Sequence, residues 1–444
     1  MSGGPVGTGR LASTFDGARL TFARQLAGLR KSDLARQVDR TATAVAGWES
    51  GVKRPSRAVV AQLCLVLAVD PAFFAGRTDG AAELPTPHFR SLRSTPQLAR
   101  DQAAAYGRAV ADVAAALERH VELPPVSLPV SPVSPISQIS PAAGHGDDPE
   151  LAAQLLRRSW STGPGPVGHL IRLAEVHGVL VVFSPLYAAT VDAYSFDAGS
   201  RPVVVLNPTT RDPYRQRFDV AHELGHLVMH ADAEPGGRVV EDQADRFAAE
   251  LLMPADEIRA LLPATMGGRV WADLRTLKEH WGVSMQALLY RARRLGVLGE
   301  VSYRNAMTTI SARGWRRAEP GSTTVAEQPS LLARSVELLA AEGVDADLLA
   351  SRCGLPRRLF DQATLRFPPE VDPEVAVPPG AVTPGSAHPE EAAALWLLPA
   401  ALHAPPPLTD GPSSRAHRRA EPSASGGLTG NVAETVETPP LFDV

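Results

Sequence analysis

In the stretch RFDVAHELGHLVMH, two histidines stand four residues apart with a glutamate directly after the first: His222, Glu223 and His226. On a helix this spacing puts both imidazoles on one face, one turn apart, at the separation a tetrahedral metal ion requires. Glu223 then lies beside the ion without ligating it, placed to take a proton from a water whose pKa the ion lowers to about 7. Such a site needs a third protein ligand, and EDQADRFAAELLMP, the next stretch, offers Glu241 and Asp245, again four apart on one face. Zinc takes Glu241 in this reading. Asp245 accepts the free N–H of a ligating histidine and so fixes its tautomer. Phe247, Ala248, Leu251 and Leu252 form the apolar stripe that docks the second helix on the first. His230, eight residues after His222, stays near the same face and leaves an alternative open: a ligand in place of Glu241, or a polar or packing role at the helix end. Glu250, Asp232 and Asp242 read as solvated charges.

A second chemistry is electrostatic. The chain as a whole carries a net charge of -4, which exerts no global pull on nucleic acid. Residues 10–77, however, hold eleven Arg and Lys against five Asp and Glu. Within them, LAGLRKSDLARQVDRTATAVAGWESGVKRPSRAVVAQLCLVLAVDPAFF resembles the Cro/repressor-type (XRE) helix-turn-helix family over almost its whole length. Leu34, Ala35 and Val38 make the buried side of the first motif helix, and Thr41 is suited to cap the recognition helix that Val45 and Trp48 anchor. Lys53, Arg54 and Arg57 follow where phosphates can be contacted. The exposed face of the recognition helix (Ala42, Thr43, Ala44, Gly47) has little that can read base edges beyond Thr43, so specificity is expected to be modest or to lean on Arg40. A helix-turn-helix used only for protein contact is the plainer reading, and the local positive charge argues against it.

These groups must be positioned by separate domains, because 444 residues exceed one ordinary core. The expected class is multidomain: an all-α helix-turn-helix domain at 10–80 and an α+β gluzincin-like metallopeptidase domain at 150–300, with a disordered linker and C-terminal tail. Between the two domains, 86–122 has Val110, Val113, Leu117 and Val121 at helical spacing, which suits a connecting helix or an oligomerisation surface such as that of a homodimer. Prolines recur through LPPVSLPVSPVSPISQISP, so 123–149 is expected to be an extended linker. In the second domain VLVVF at 179–183 has the pattern of a buried strand, and VDAYSF and PVVVL read as an antiparallel hairpin across DAGSR. The strand at 202–206 is taken as an edge to which an extended peptide could add. Residues 301–372 look helical without an interpretable motif, and 373–444, rich in proline and alanine, reads as a disordered tail.

The segment AHELGHLVMH followed by the E-x-x-A-D-x-F-A-A-E-L-L-M-P pattern resembles the ImmA/IrrE family of metallopeptidases over roughly 150–298. That resemblance implies zinc held by His222, His226 and Glu241, with Glu223 catalytic and a transcriptional repressor as the protein substrate, either a separate protein or this chain's own N-terminal domain. The group stabilising the oxyanion is left among Tyr194, Tyr214, Arg217 and His280, on chemistry alone. A zinc endopeptidase bound to DNA in a regulatory circuit is therefore expected. The alternative is an XRE-type regulator whose peptidase-like domain senses or dimerises without turnover. Cys64 and Cys353 stand alone in unlike contexts, which excludes a disulfide framework or thiolate cluster. With no signal-peptide pattern in MSGGPVGTGR and no apolar run of about 20 residues, no membrane partner and a cytoplasmic location are expected.

Overall fold

The computed structural model describes residues 15–75, 88–89, 96–129, 148–185, 193–198, 200–210, 212–230, 237–316, 318–321 and 325–367. The inner part of the proline-rich stretch, 130–147, and the tail from 373 lie outside them. No helix among the described residues is long and apolar enough to cross a membrane.

The N-terminal region is helical. Helices α1 (Gly17–Leu26), α2 (Lys31–Gln37), α3 (Ala42–Glu49) and α4 (Arg57–Leu67) are followed by a short 3-10 turn, Pro71–Ala75. Leu34, Ala35, Val38, Val45 and Trp48 are all buried in one cluster with Leu20, Leu63 and Phe74, as the pattern of small and branched residues requires. Thr41 caps α3 by accepting from the amide of Ala44 at 3.2 Å, an arrangement that stabilises a helix start by about 1 kcal/mol.

The second region is built on a mixed sheet of β1 (His88–Phe89), β2 (Leu180–Phe183), β3 (Ala193–Asp197) and β4 (Pro202–Leu206), ordered β1-β3-β4-β2. The β3–β4 hairpin is antiparallel, as its turn residues indicate, with Ser195 opposite Val204. Strand β4 also pairs in parallel with β2. It is therefore an interior strand, and the expectation of a peptide-binding edge at 202–206 is corrected: both sides of its backbone are already bonded.

Alternate residues of the sheet face opposite ways. Tyr194, Phe196, Val203, Val205, Leu180 and Val182 point to one side, where they meet α5 (Gln97–Glu118) and the C-terminal helices α14 (Leu331–Ala341), α15 (Ala346–Arg352) and α16 (Arg357–Ala363). The helix expected to be a connector or an oligomerisation surface is thus a core layer. Val110, Val113 and Leu117 are wholly buried there, and each contributes on the order of 2 kcal/mol by leaving water. Gly107 marks the closest approach: a Cβ there would lie 2.3 Å from the ring of Phe196. Hydroxyls secure the contact, Tyr106 donating to the carbonyl of Phe183 at 2.8 Å and Tyr194 to that of Ala103 at 3.2 Å. Part of the region expected to be helical without an interpretable motif, 331–363 within 301–372, likewise supplies this layer.

Helix α5 also carries the N-terminal domain. Gln102 donates to the carbonyl of Leu26 at 3.0 Å. Arg19, stacked 3.8 Å over the ring of Phe73, donates to the carbonyl of Gly354, between α15 and α16. Residues 123–127, expected to begin a free linker, are pinned as well, by Arg201 at the carbonyls of Leu123 and Pro124 and by the Ser127 amide at that of His177.

Candidate metal centre

The other face of the sheet is covered by α8 (Pro213–Met229), with α9 (Arg238–Leu252) packed across it and α6 (Pro149–Ser159) and α7 (Leu170–Val176) alongside. Asp212 starts α8 by accepting from the amides of Tyr214 at 2.9 Å and Arg215 at 3.4 Å, and Pro213 follows where its missing amide hydrogen has no intrahelical use. Because it lies between the sheet and α9, α8 is buried along most of its length. Gly225 lets the helices approach: a Cβ at this position would sit 3.0 Å from the ring of Phe247 on α9. That closeness brings the first turns of α9 over the histidines.

The two motifs converge there. His222 Nε2 and His226 Nε2 are 3.0 Å apart, and Glu241 places Oε2 3.3 Å from the first and Oε1 3.7 Å from the second. A tetrahedral zinc ion with nitrogen or oxygen ligands at about 2.1 Å has ligands about 3.4 Å from one another, so the three donors stand at the edges such an ion would span. Asp245 Oδ1 lies 2.8 Å from His222 Nδ1 and His230 Nδ1 lies 3.1 Å from His226 Nδ1, so hydrogen bonds occupy the outer nitrogens of both rings. With the protons on those outer nitrogens, two bare lone pairs face each other across 3.0 Å inside the protein, a contact that a cation relieves. The donor set therefore fits zinc.

Burial sets the protonation of these groups. It pushes His226 down to about 3, so the ring is neutral and able to ligate at neutral pH. Burial acts to raise Glu241, but the closeness of His222 and His226 outweighs it and holds the carboxyl at about 2. Glu223 is fully buried, which pushes it up to about 7. Its carboxylate oxygens have no hydrogen-bond partner among the described residues, while Ser195 on β3 donates to its backbone carbonyl at 3.3 Å. Sequence reasoning missed Ser195; a serine between two aromatic residues of a buried strand was the available signal.

Other expectations change. Glu250 is not solvated: it is 1 % exposed, ion-paired with Arg291, and accepts from Gln154 at 3.0 Å. Asp242 is half-exposed, 3.5 Å from Arg294, and Asp232 lies outside the described residues. Among the oxyanion candidates, Tyr194 turns to the α5 side of the sheet, away from α8. Arg217 is spent on Glu327 and on the carbonyls of Val167, Gly168 and Gly282. The ring of Tyr214 receives Lys278 at 4.6 Å, and His280 is exposed beside Trp281.

In the N-terminal domain, Arg40, Thr43, Lys53, Arg54 and Arg57 are all exposed around α3 and the turn after it. Glu49 at the end of α3 is buried between Arg24 at 2.5 Å and Lys31 at 3.2 Å, which locks the recognition helix to α1 and α2.

Residues 17–73 match the family model of a helix-turn-helix domain, and residues 174–293 match that of peptidase M78, the IrrE N-terminal-like domain. The two matches stand in the expected order along the chain, helix-turn-helix first and IrrE N-terminal-like second. The second match takes in His222, Glu223, His226, Glu241 and Asp245, but neither α5 nor α14–α16. No curated protein matches the chain.

Proposed function

We propose that the chain is a DNA-binding zinc endopeptidase of a transcriptional regulatory circuit and that its substrate is a repressor-type protein. The observation that carries this is the convergence of His222, His226 and Glu241 beside a buried carboxylate, Glu223, with no hydrogen-bond partner among the described residues. A bound zinc ion would supply Lewis acidity and lower the pKa of a water to about 7. Glu223, raised by burial to about 7, is matched to accept a proton from the attacking water at its carboxylate and pass it to the leaving amine. A purely structural site has no use for such a base and closes its fourth position with a side chain. Asp245 orients His222, and the basic surface at Arg40, Thr43, Lys53, Arg54 and Arg57 holds DNA chiefly through phosphates. One observation favours the second reading, a regulator whose peptidase-like domain senses without turnover: Glu223 and His226 are 0 % exposed.

The test uses purified wild type, His222→Ala, Glu241→Ala and Glu223→Gln. About one zinc per chain is expected in the wild type and in Glu223→Gln, and little in the other two. Mass spectrometry of a panel of co-encoded repressors, incubated with each protein, is expected to find new termini with the wild type alone. Zinc uptake and DNA binding with neither a repressor nor the chain itself cut would leave the sensor reading standing.

A further inference from the structure

Behind the cluster runs a chain of hydrogen bonds that neither motif includes. His230 is buried at the C-terminal end of α8, one turn beyond His226. Its Nδ1 lies 3.1 Å from His226 Nδ1, and its Nε2 lies 3.1 Å from Oε1 of Gln243 on α9. His226 turns Nε2 towards His222 and Glu241, so His230 sits at the opposite side of that ring from the donor cluster. It is in the wrong place to be a ligand.

We propose that His230 and Gln243 are positioning residues for the metal centre, fixing the tautomer and ring orientation of His226 through a relay from His230 to the Gln243 amide. The inference rests on the zinc reading above. If His226 offers Nε2 to the ion, its one proton is on Nδ1, which donates to His230 Nδ1. His230 then carries its own proton on Nε2, which donates to the only atom of the Gln243 amide able to accept it, Oε1. Each of the three side chains is left with one orientation. The two histidine ligands are thereby backed by different groups: His222 by the carboxylate of Asp245, His226 by His230 and Gln243.

Removing a partner of this kind costs 10–100-fold in metal affinity. The experiment measures zinc affinity by competition with a chromophoric chelator for the wild type, His230→Ala, His230→Asn and Gln243→Leu. Alongside it go the thermal midpoints of the zinc-free proteins and the visible spectra of their cobalt forms. His230→Ala is expected to bind zinc about 10–100-fold more weakly with its zinc-free midpoint little changed. His230→Asn, whose Oδ1 takes the place of Nδ1, is expected to recover most of the loss. Gln243→Leu should weaken binding as well, by less, since His230 remains. The cobalt spectra should keep the intensity of a tetrahedral ion in all four proteins. Zinc binding by His230→Ala as tight as the wild type overturns the proposal, as does a cobalt spectrum showing the loss of a nitrogen ligand. If His230→Ala does not fold, His230→Asn and Gln243→Leu decide: unchanged affinity in Gln243→Leu, or no binding by a folded His230→Asn, overturns it. Absence of zinc from the wild type overturns the zinc reading itself, an outcome distinct from these.

Discussion

Glu223→Gln is expected to make the zinc-free protein more stable at neutral pH, although it removes the residue proposed to act on water. The wild-type carboxyl is fully buried, has no hydrogen-bond partner among the described residues, and is raised from 4.5 to about 7. Between those two values the folded chain keeps a proton that the unfolded chain has released, so stability falls as pH rises through this window and levels off above about 7. A shift of about 2.5 units corresponds to at most about 3 kcal/mol, and glutamine, which cannot ionise, avoids that loss. Below pH 4.5 both states of the wild type are protonated and the advantage should vanish. Urea denaturation of both zinc-free proteins at pH 5 and pH 8 is the assay, with a gap of about 1–2 M in midpoint expected to open at the higher pH for ordinary urea dependence. A gap of equal size at both pH values would refute the argument, because the effect could then not come from ionisation. Adding zinc should narrow the gap at pH 8, since a cation beside Glu223 favours the charged form.

Three further outcomes are expected. Zinc at about 1,000 times its dissociation constant should stabilise the wild type by about 4 kcal/mol, while His222→Ala should show no such rise in a thermal scan with and without chelator. Gly225→Ala gains about 1 kcal/mol of helix propensity, but its Cβ, 3.0 Å from the Phe247 ring, incurs about 1–3 kcal/mol of overpacking. The net change should be a loss accompanied by weaker zinc binding as α9 is pushed off α8; unchanged zinc affinity would mean that the helix spacing does not set the site. Replacing Lys53, Arg54 and Arg57 by alanine should lower DNA affinity for all sequences alike and reduce the salt dependence by a slope of about 3, read from binding measured over a salt series.

The site was more legible than the scaffold around it. His222, Glu223, His226, Glu241 and Asp245 lie on two consecutive helices, and a four-residue spacing with an apolar stripe on each is local information. Helix α5 was obscured because the proline-rich run that follows it suggested a boundary, while its partners Phe196 and Leu339 lie about 90 and 230 residues further along the chain. Strand β4 could have been read correctly: PVVVL has no polar alternation, the pattern of a strand covered on both faces, and covered strands are usually interior ones. Glu250 looked solvated because its partner, Arg291, belongs to a different helix and nothing local announces it. Ser195 and Gln243 act through single atoms across element boundaries, which no periodicity encodes.

The seat of the N-terminal domain on α5 bears on how the two halves would work together. Arg19 and Gln102 bind it to the layer behind the sheet, so a duplex held by α3 would fix the direction in which α8 faces. Cleavage of a repressor on a neighbouring operator would then depend on which side of the double helix that repressor occupies. Moving the operator by half a turn, about 5 base pairs, would carry the target to the far side, and a full turn of about 10 base pairs would return it. The molecule would act as a surveyor of rotational phase along DNA, sensitive to spacing in a way that two domains on a slack cord are not.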